Sequence, residues 1–297
     1  MKNKSIFNAV VGLVIIIIVG LFCVLTIRNF LPVQTVEIIN SDNNTSASQE
    51  TYIESANKSH LFFGNPTNAD SKNPNNYLLV NQYYASSYNR ERAIPNWTSW
   101  KLSRNDIGKL ERQNDFRPDN RLPNSWTKIT PSDYYDKIYD RGHMCPSGDR
   151  TSSIEANSST FLMTNQTPQI SDLNQGPWEK LESYCRSLIF RGNTLFIYAG
   201  NYGENGKLNR KVSIPTNFWK IIVVVKKGKD EKNFNDQSQI IAVDMPNIEG
   251  IKENKWQQYT TTVREIEQKT GYDFFAAYPK NVQDSVENSF GSQKNPK

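Results

Sequence analysis

The tetrapeptide Asp140-Arg141-Gly142-His143 sets a permanently charged, planar guanidinium close to an imidazole. The guanidinium fork suits a phosphate, and the glycine permits close backbone approach beside it. The imidazole exchanges a proton near neutral pH, as a general base must. Taken alone, the four residues also fit a turn with a structural histidine. Thirty-one residues after His143 stands Asn174, followed at once by Gln175, Gly176 and Pro177. An asparagine there fits an N-cap or a turn. Its carboxamide oxygen is also a competent ligand for Mg²⁺, a hard cation that keeps most of its waters and leans on substrate phosphate oxygens. Glu182 follows on roughly the same helical side, two turns on, where it can hold a metal-bound water. The alternative is a solvated glutamate paired with Lys180 or Arg186.

Composition narrows the chemistry further. The chain has 297 residues, 37% hydrophobic and 22% charged, enough for one large domain or two small ones and too apolar to be disordered throughout. With two histidines, His60 and His143, and three cysteines, there is no HExxH pair, zinc finger or disulfide-stapled mini-protein. Any metal must therefore rest mainly on oxygen ligands. The net charge of +5 suggests nucleic acid, but setting aside Lys2, Lys4 and Arg28 beside the N-terminal apolar segment leaves 32 basic residues against 30 acidic. Bulk charge does not identify the partner.

The elements that must position these residues follow from the apolar pattern. YLLV at 77 to 80, TLFIYAG at 194 to 200, FWKIIVVV at 218 to 225 and IIAVDM at 240 to 245 are short, β-branched and aromatic runs, which predict strands. The run at 218 to 225 is apolar on both faces, as in a central strand, and the polar stretch after Lys227 predicts a long hairpin loop. One helix follows Pro177, with Trp178, Leu181, Cys185 and Leu188 on one face. Another starts at a Thr262 cap with Glu265 in capping-box position and stops at Gly271. Strands and helices do not alternate regularly, which predicts an α+β domain.

From Ile6 to Ile27 the chain is uncharged and apolar; its 22 positions would span roughly 33 Å as a helix, the thickness of a bilayer core. A cleaved signal peptide is the competing reading, but the stretch is long for one and lacks a small-residue cleavage site. An uncleaved anchor is therefore expected, and Lys2 and Lys4 before it, against Arg28 after it, favour an inside N-terminus with the rest of the chain outside the cytoplasm. Residues 32–59, rich in Asn, Ser and Thr, read as a flexible tether, and 291–297 as a frayed tail. The expected organisation is thus an anchor at 1–31, a tether at 32–59, a folded domain at 60–290 and a tail.

DRGHM, TFLMTNQTPQ and DLNQGPWEKLESYCRSL together resemble the DNA/RNA non-specific endonucleases of the ββα-metal fold, the group that includes secreted bacterial sugar-nonspecific nucleases and mitochondrial endonuclease G. HLFFGNP at 60 to 66, NYLLVNQYYASSYN at 76 to 89, ERQNDFRPD at 111 to 119 and VSIPTNFWKIIVV at 212 to 224 are similar to the secreted bacterial branch in the same order. The likeness covers essentially everything outside the anchor, tether and tail. It implies a mixed or antiparallel central sheet with flanking helices. It also implies His143 as the general base, Asn174 as the single protein ligand of a hydrated Mg²⁺ (or Mn²⁺), and Arg141 and Arg112 on the phosphate. Glu182 would support the metal's water shell, and Asn165, in the TFLMTN strand, would stand beside the site. Substrates would be DNA and RNA, cut to 5′-phosphate ends. A small-phosphoester phosphodiesterase and an inactive surface module that captures nucleic acid are the alternatives. Sequence identifies no protein inhibitor and no oligomeric state. Cys145 departs from the family pattern; with Cys185 it is expected as a free thiol. His60 is expected to be structural.

Overall fold

The computed structural model describes Ala56 and residues 59–290. The expected anchor, most of the tether and the tail lie outside the described residues. The chain divides after Ala47, and all described residues belong to the second unit, Ser48–Lys297. Ala56 is helical and buried, so folded structure starts before the expected boundary at His60. No helix of the described residues is long and apolar enough to cross a membrane.

The first strands are β1 (Tyr77–Val80), β2 (Ala85–Asn89) and β3 (Ile94–Leu102). A ribbon of β4 (Tyr139–His143) and β5 (Gln166–Ile170) comes next, with the short helix α1 (Ile154–Ser159) between its strands. Helix α2 (Glu179–Phe190) leads to β6 (Thr194–Tyr202), a small hairpin of β7 (Lys207–Leu208) and β8 (Val212–Ser213), and then β9 (Asn217–Val225) and β10 (Gln239–Pro246). A short strand β11 (Thr260–Thr261) and helices α3 (Val263–Thr270) and α4 (Lys280–Glu287) complete the fold. Seven strands form one sheet in the order β1-β2-β3-β6-β9-β10-β11, and every neighbouring pair is antiparallel.

The four apolar runs are all strands of this sheet. On β9, Phe218, Ile222 and Val224 face one core and Trp219, Ile221 and Val223 the other, because successive side chains alternate across a strand. The first core is closed by α2, through Leu181, Cys185, Leu188 and Ile189. The second is closed by α3 and α4, through Val263, Ile266 and Val286, with an aromatic cluster around Phe63. The result is three layers, α+β with an antiparallel sheet. At α3 the Thr262 hydroxyl accepts from the Glu265 amide and Gly271 ends the helix at φ 73°. The Glu265 carboxylate, however, accepts from the Thr261 hydroxyl, so only half of the expected capping box forms.

Candidate active site

The β4–β5 ribbon sets the first residues. Arg141 and His143 are two positions apart on β4 and therefore share a face. Gly142 is needed for a different reason from the one its motif suggests. A Cβ at Gly142 would lie 2.0 Å from Gln169 Oε1, so the glycine makes room for the side chain of the paired strand rather than for a phosphate.

Two phenylalanines wall this face. The His143 ring lies 5.0 Å from Phe161 and 5.6 Å from Phe116, centre to centre. The Arg141 guanidinium sits 4.2 Å over Phe116 and that of Arg112 4.7 Å over Phe161. Such cation–π contacts hold a guanidinium without neutralising it. Arg112 also donates to Ser147 Oγ at 2.7 Å and to Asn114 Oδ1 at 2.7 Å.

Asn174 is not the cap of the helix that follows. A helical turn, Ser171–Leu173, runs into a wide five-residue turn, Asn174–Trp178, broken at Gly176 with φ −113° and ψ −118°. Trp178 occupies the N-cap position of α2, without a side-chain cap bond. A Cβ on Gly176 would meet the Lys252 backbone at 2.7 Å, so this turn can only be packed with glycine there. The Asn174 amide nitrogen donates to Asp140 Oδ2 at 2.8 Å, and Gln175 Nε2 donates to the same oxygen at 2.9 Å. Ser171 Oγ donates to Asp140 Oδ1 at 2.9 Å. Asp140 thereby fixes which end of the Asn174 carboxamide is which. The nitrogen is engaged, and the acceptor oxygen is left for a hard cation. No group of three or more His, Cys, Asp or Glu residues gathers to hold a metal among the described residues.

Glu182 is largely buried, its side chain 12% exposed. Its Oε1 lies 3.6 Å from Lys220 Nζ and its Oε2 4.0 Å from Arg186. Burial pushes its carboxyl up to about 7, with the Lys220 and Arg186 cations opposing the shift. Of the two partners expected from sequence, Arg186 is present and Lys180 is not; Lys180 instead donates to the Lys252 carbonyl at 2.7 Å.

His143 is buried and its Nε2 has no hydrogen-bond partner among the described residues. Burial, and after it the Arg112 and Arg141 cations, hold the imidazole down at about 3, against a backbone hydrogen bond to Arg141. The ring is therefore neutral, the form in which it can accept a proton.

His143, Arg141, Arg112, Asn174 and Glu182 all line one cavity of about 550 Å³. Asn165 does not. It belongs to a 3-10 turn, Met163–Asn165, rather than to a strand, and it is fully buried behind the site. Its Oδ1 accepts from the Cys145 amide at 3.0 Å, while its Nδ2 donates to the carbonyls of Cys145 and Thr160. It braces the chain just after His143. Cys145 and Cys185 are both free and buried. Sequence reading passed over Asp140, Arg186 and Lys220 as site residues. An acid inside the motif, a base one helical turn after Glu182 and a lone lysine within the apolar run at 218 to 225 were the available signals.

The family described as DNA/RNA non-specific endonuclease matches residues 64–281. A protein called nuclease from Nostoc sp. is 44% identical over 232 residues, 77% of this chain and 84% of the relative. The nuclease of Serratia marcescens is 29% identical over 240 residues, again 77% of this chain and 84% of the relative. In fold, the chain is similar to a crystal structure of the EndoG/EndoGI complex, with TM-score 0.64, 20% identity, and coverage of 78% of this chain and 96% of the other.

Proposed function

The chain belongs to the DNA/RNA non-specific endonuclease family, and from that premise we propose that it cleaves phosphodiester bonds of DNA and RNA, leaving 5′-phosphate ends, with divalent-metal assistance. The observation that carries the reading is the convergence of five residues on one cavity, with the Asn174 carboxamide turned by Asp140.

His143 accepts the proton of the attacking water. Its neutrality at physiological pH leaves it able to do so; burial is the main cause of its low basicity, and the Arg112 and Arg141 guanidiniums add to it. A phosphate bound between Arg141 and Arg112 offsets their charge and strengthens the base. The same guanidiniums stabilise negative charge as it grows on phosphorus-bound oxygens. Asn174 would hold Mg²⁺ or Mn²⁺ through Oδ1, and Glu182 would hold water beside it. That ion, when bound, supplies Lewis-acid stabilisation of the phosphate. Contacts of this kind grip a backbone and carry little sequence information, which suits a substrate range spanning both nucleic acids.

The test is digestion of plasmid DNA and RNA by the chain from Ser48 onward, with and without EDTA. Cleavage of both, abolished by EDTA, is expected; DNA binding without cleavage in Mg²⁺ would return the inactive capture module, and hydrolysis of small phosphoesters alone the phosphodiesterase. For location, the uncharged stretch at 6–27 supports a membrane-retained protein with its nuclease domain outside the cytoplasm. Recovery of a soluble chain beginning near residue 30 would replace the anchor with a cleaved signal peptide.

A further inference from the structure

Beneath the cavity, β9 carries Lys220 on a face otherwise formed by Phe218, Ile222 and Val224. It pairs with Ala199 on β6 and Val243 on β10, in the middle of the sheet, and its side chain is 1% exposed. Its Nζ lies 3.6 Å from Glu182 Oε1, 4.0 Å from the Trp178 ring centre and 5.9 Å from that of Trp100. Glu182's other cation, Arg186, is held at 3.1 Å by the buried Asp149, which also accepts from Trp100 Nε1 at 3.0 Å. Acid and base thus alternate below the site, Lys220, Glu182, Arg186 and Asp149, on three separate segments of chain.

The two cations are not equivalent. Arg186 lines the cavity, is 21% exposed and is engaged by Asp149 at 3.1 Å and Ser183 at 3.0 Å, so it meets Glu182 only at 4.0 Å. Lys220 is sealed under the floor and has nowhere else to turn. For stability alone a buried lysine is a poor choice, because a well-packed apolar residue of the same length is commonly neutral or better than a buried ion pair.

We propose that Lys220 is a positioning residue for phosphodiester cleavage: from below the cavity floor it fixes where the Glu182 carboxylate stands and favours its charged form. The proposal rests on the nuclease reading. Its physical support is that desolvation works against the charge on Glu182 and Lys220 is the strongest opposing influence.

The test is a double-mutant cycle in the full chain with Lys220→Met, Lys220→Arg, Glu182→Gln and Lys220→Met/Glu182→Gln, reading kcat, KM and Tm. Lys220→Met should lower kcat by roughly 10- to 100-fold, the scale typical of residues that orient metal-site groups, with KM for nucleic acid nearly unchanged. Lys220→Arg should recover a large part of that loss. In the Glu182→Gln background, Lys220→Met should change kcat little and raise Tm, since it removes an ammonium left buried without a partner. Full kcat in Lys220→Met, kcat losses that multiply in the double variant, or additive Tm changes overturn the proposal alone. A wild-type chain that cleaves neither DNA nor RNA overturns the nuclease reading and takes the proposal with it.

Discussion

His60 and His143 are buried to nearly the same degree, 6% and 8% exposed, and burial holds both imidazoles far below their ordinary range, at about 4 and about 3. What meets each ring differs. His60 Nε2 lies 2.9 Å from the Gln82 carbonyl, and its Nδ1 accepts from the Lys101 amide at 3.3 Å. That pattern fixes one neutral tautomer, and protonation would set a ring N–H against a backbone N–H. His143 has an unpartnered Nε2, two phenylalanine walls and guanidiniums on both phenylalanines. Burial and low basicity therefore say only that a histidine is neutral. An unspent ring nitrogen among uncompensated cations is what makes one a candidate base.

The largest effect should separate the two rings outright. His143→Ala is expected to lower kcat by at least ~10², within the range of general-base catalysis, while leaving nucleic-acid binding largely intact. His60→Ala should leave kcat of the folded fraction near normal and lower stability by about 1–3 kcal/mol, because it strands the Gln82 carbonyl and the Lys101 amide. Equal losses of kcat in the two folded variants would erase the distinction. Next in size is Asn174→Ala, with a loss of roughly 10- to 100-fold at limiting Mg²⁺ and partial recovery at high Mg²⁺; Asp140→Ala should reproduce it more weakly through the freed carboxamide. Normal cleavage by Asn174→Ala at every metal concentration would reduce that residue to a turn former.

A smaller effect concerns pH. Neither histidine titrates near neutrality, whereas Glu182 does so at about 7. Its charged form lies above that value, so kcat/KM should rise with pH toward about 7, and Glu182→Gln should remove this limb. A limb that survives in Glu182→Gln would move the titration to another group. In the smallest effect the two rings behave alike. Each has a folded pKa below its unfolded value near 6.5, so the stability it contributes is complete above that value and is lost as pH falls through the folded one. Melting curves between pH 6.5 and 4 should flatten equally for His60→Gln and His143→Gln.

Much of the architecture was readable beforehand because it is local. Apolar runs of strand length and a proline-led amphipathic segment became β1, β6, β9, β10 and α2 with few changes. The motif residues His143, Arg141, Arg112, Asn174 and Glu182, separated along the chain, do come together on one cavity. The site was not readable where the cause is a distant partner. Gly142 answers to Gln169 across the ribbon, Gly176 to the Lys252 backbone, and Lys220, on a strand, to Glu182 on a helix. Asn165 failed for the same reason: its amide serves the backbone at Cys145 and Thr160, which only the turn at Met163–Asn165 brings to it.

Asp140 joins β4 to Ser171, Asn174 and Gln175, residues some thirty positions further along the chain. During synthesis this has a consequence for timing. A nascent chain that has completed β4 carries its histidine and both site arginines but cannot orient the carboxamide, and the floor under Glu182 waits for β9. Competence therefore arrives late and together, only after the greater part of the domain has been made. A ribosome-bound or prematurely truncated chain would be harmless to the nucleic acids around it, without any inhibitor being needed at that stage.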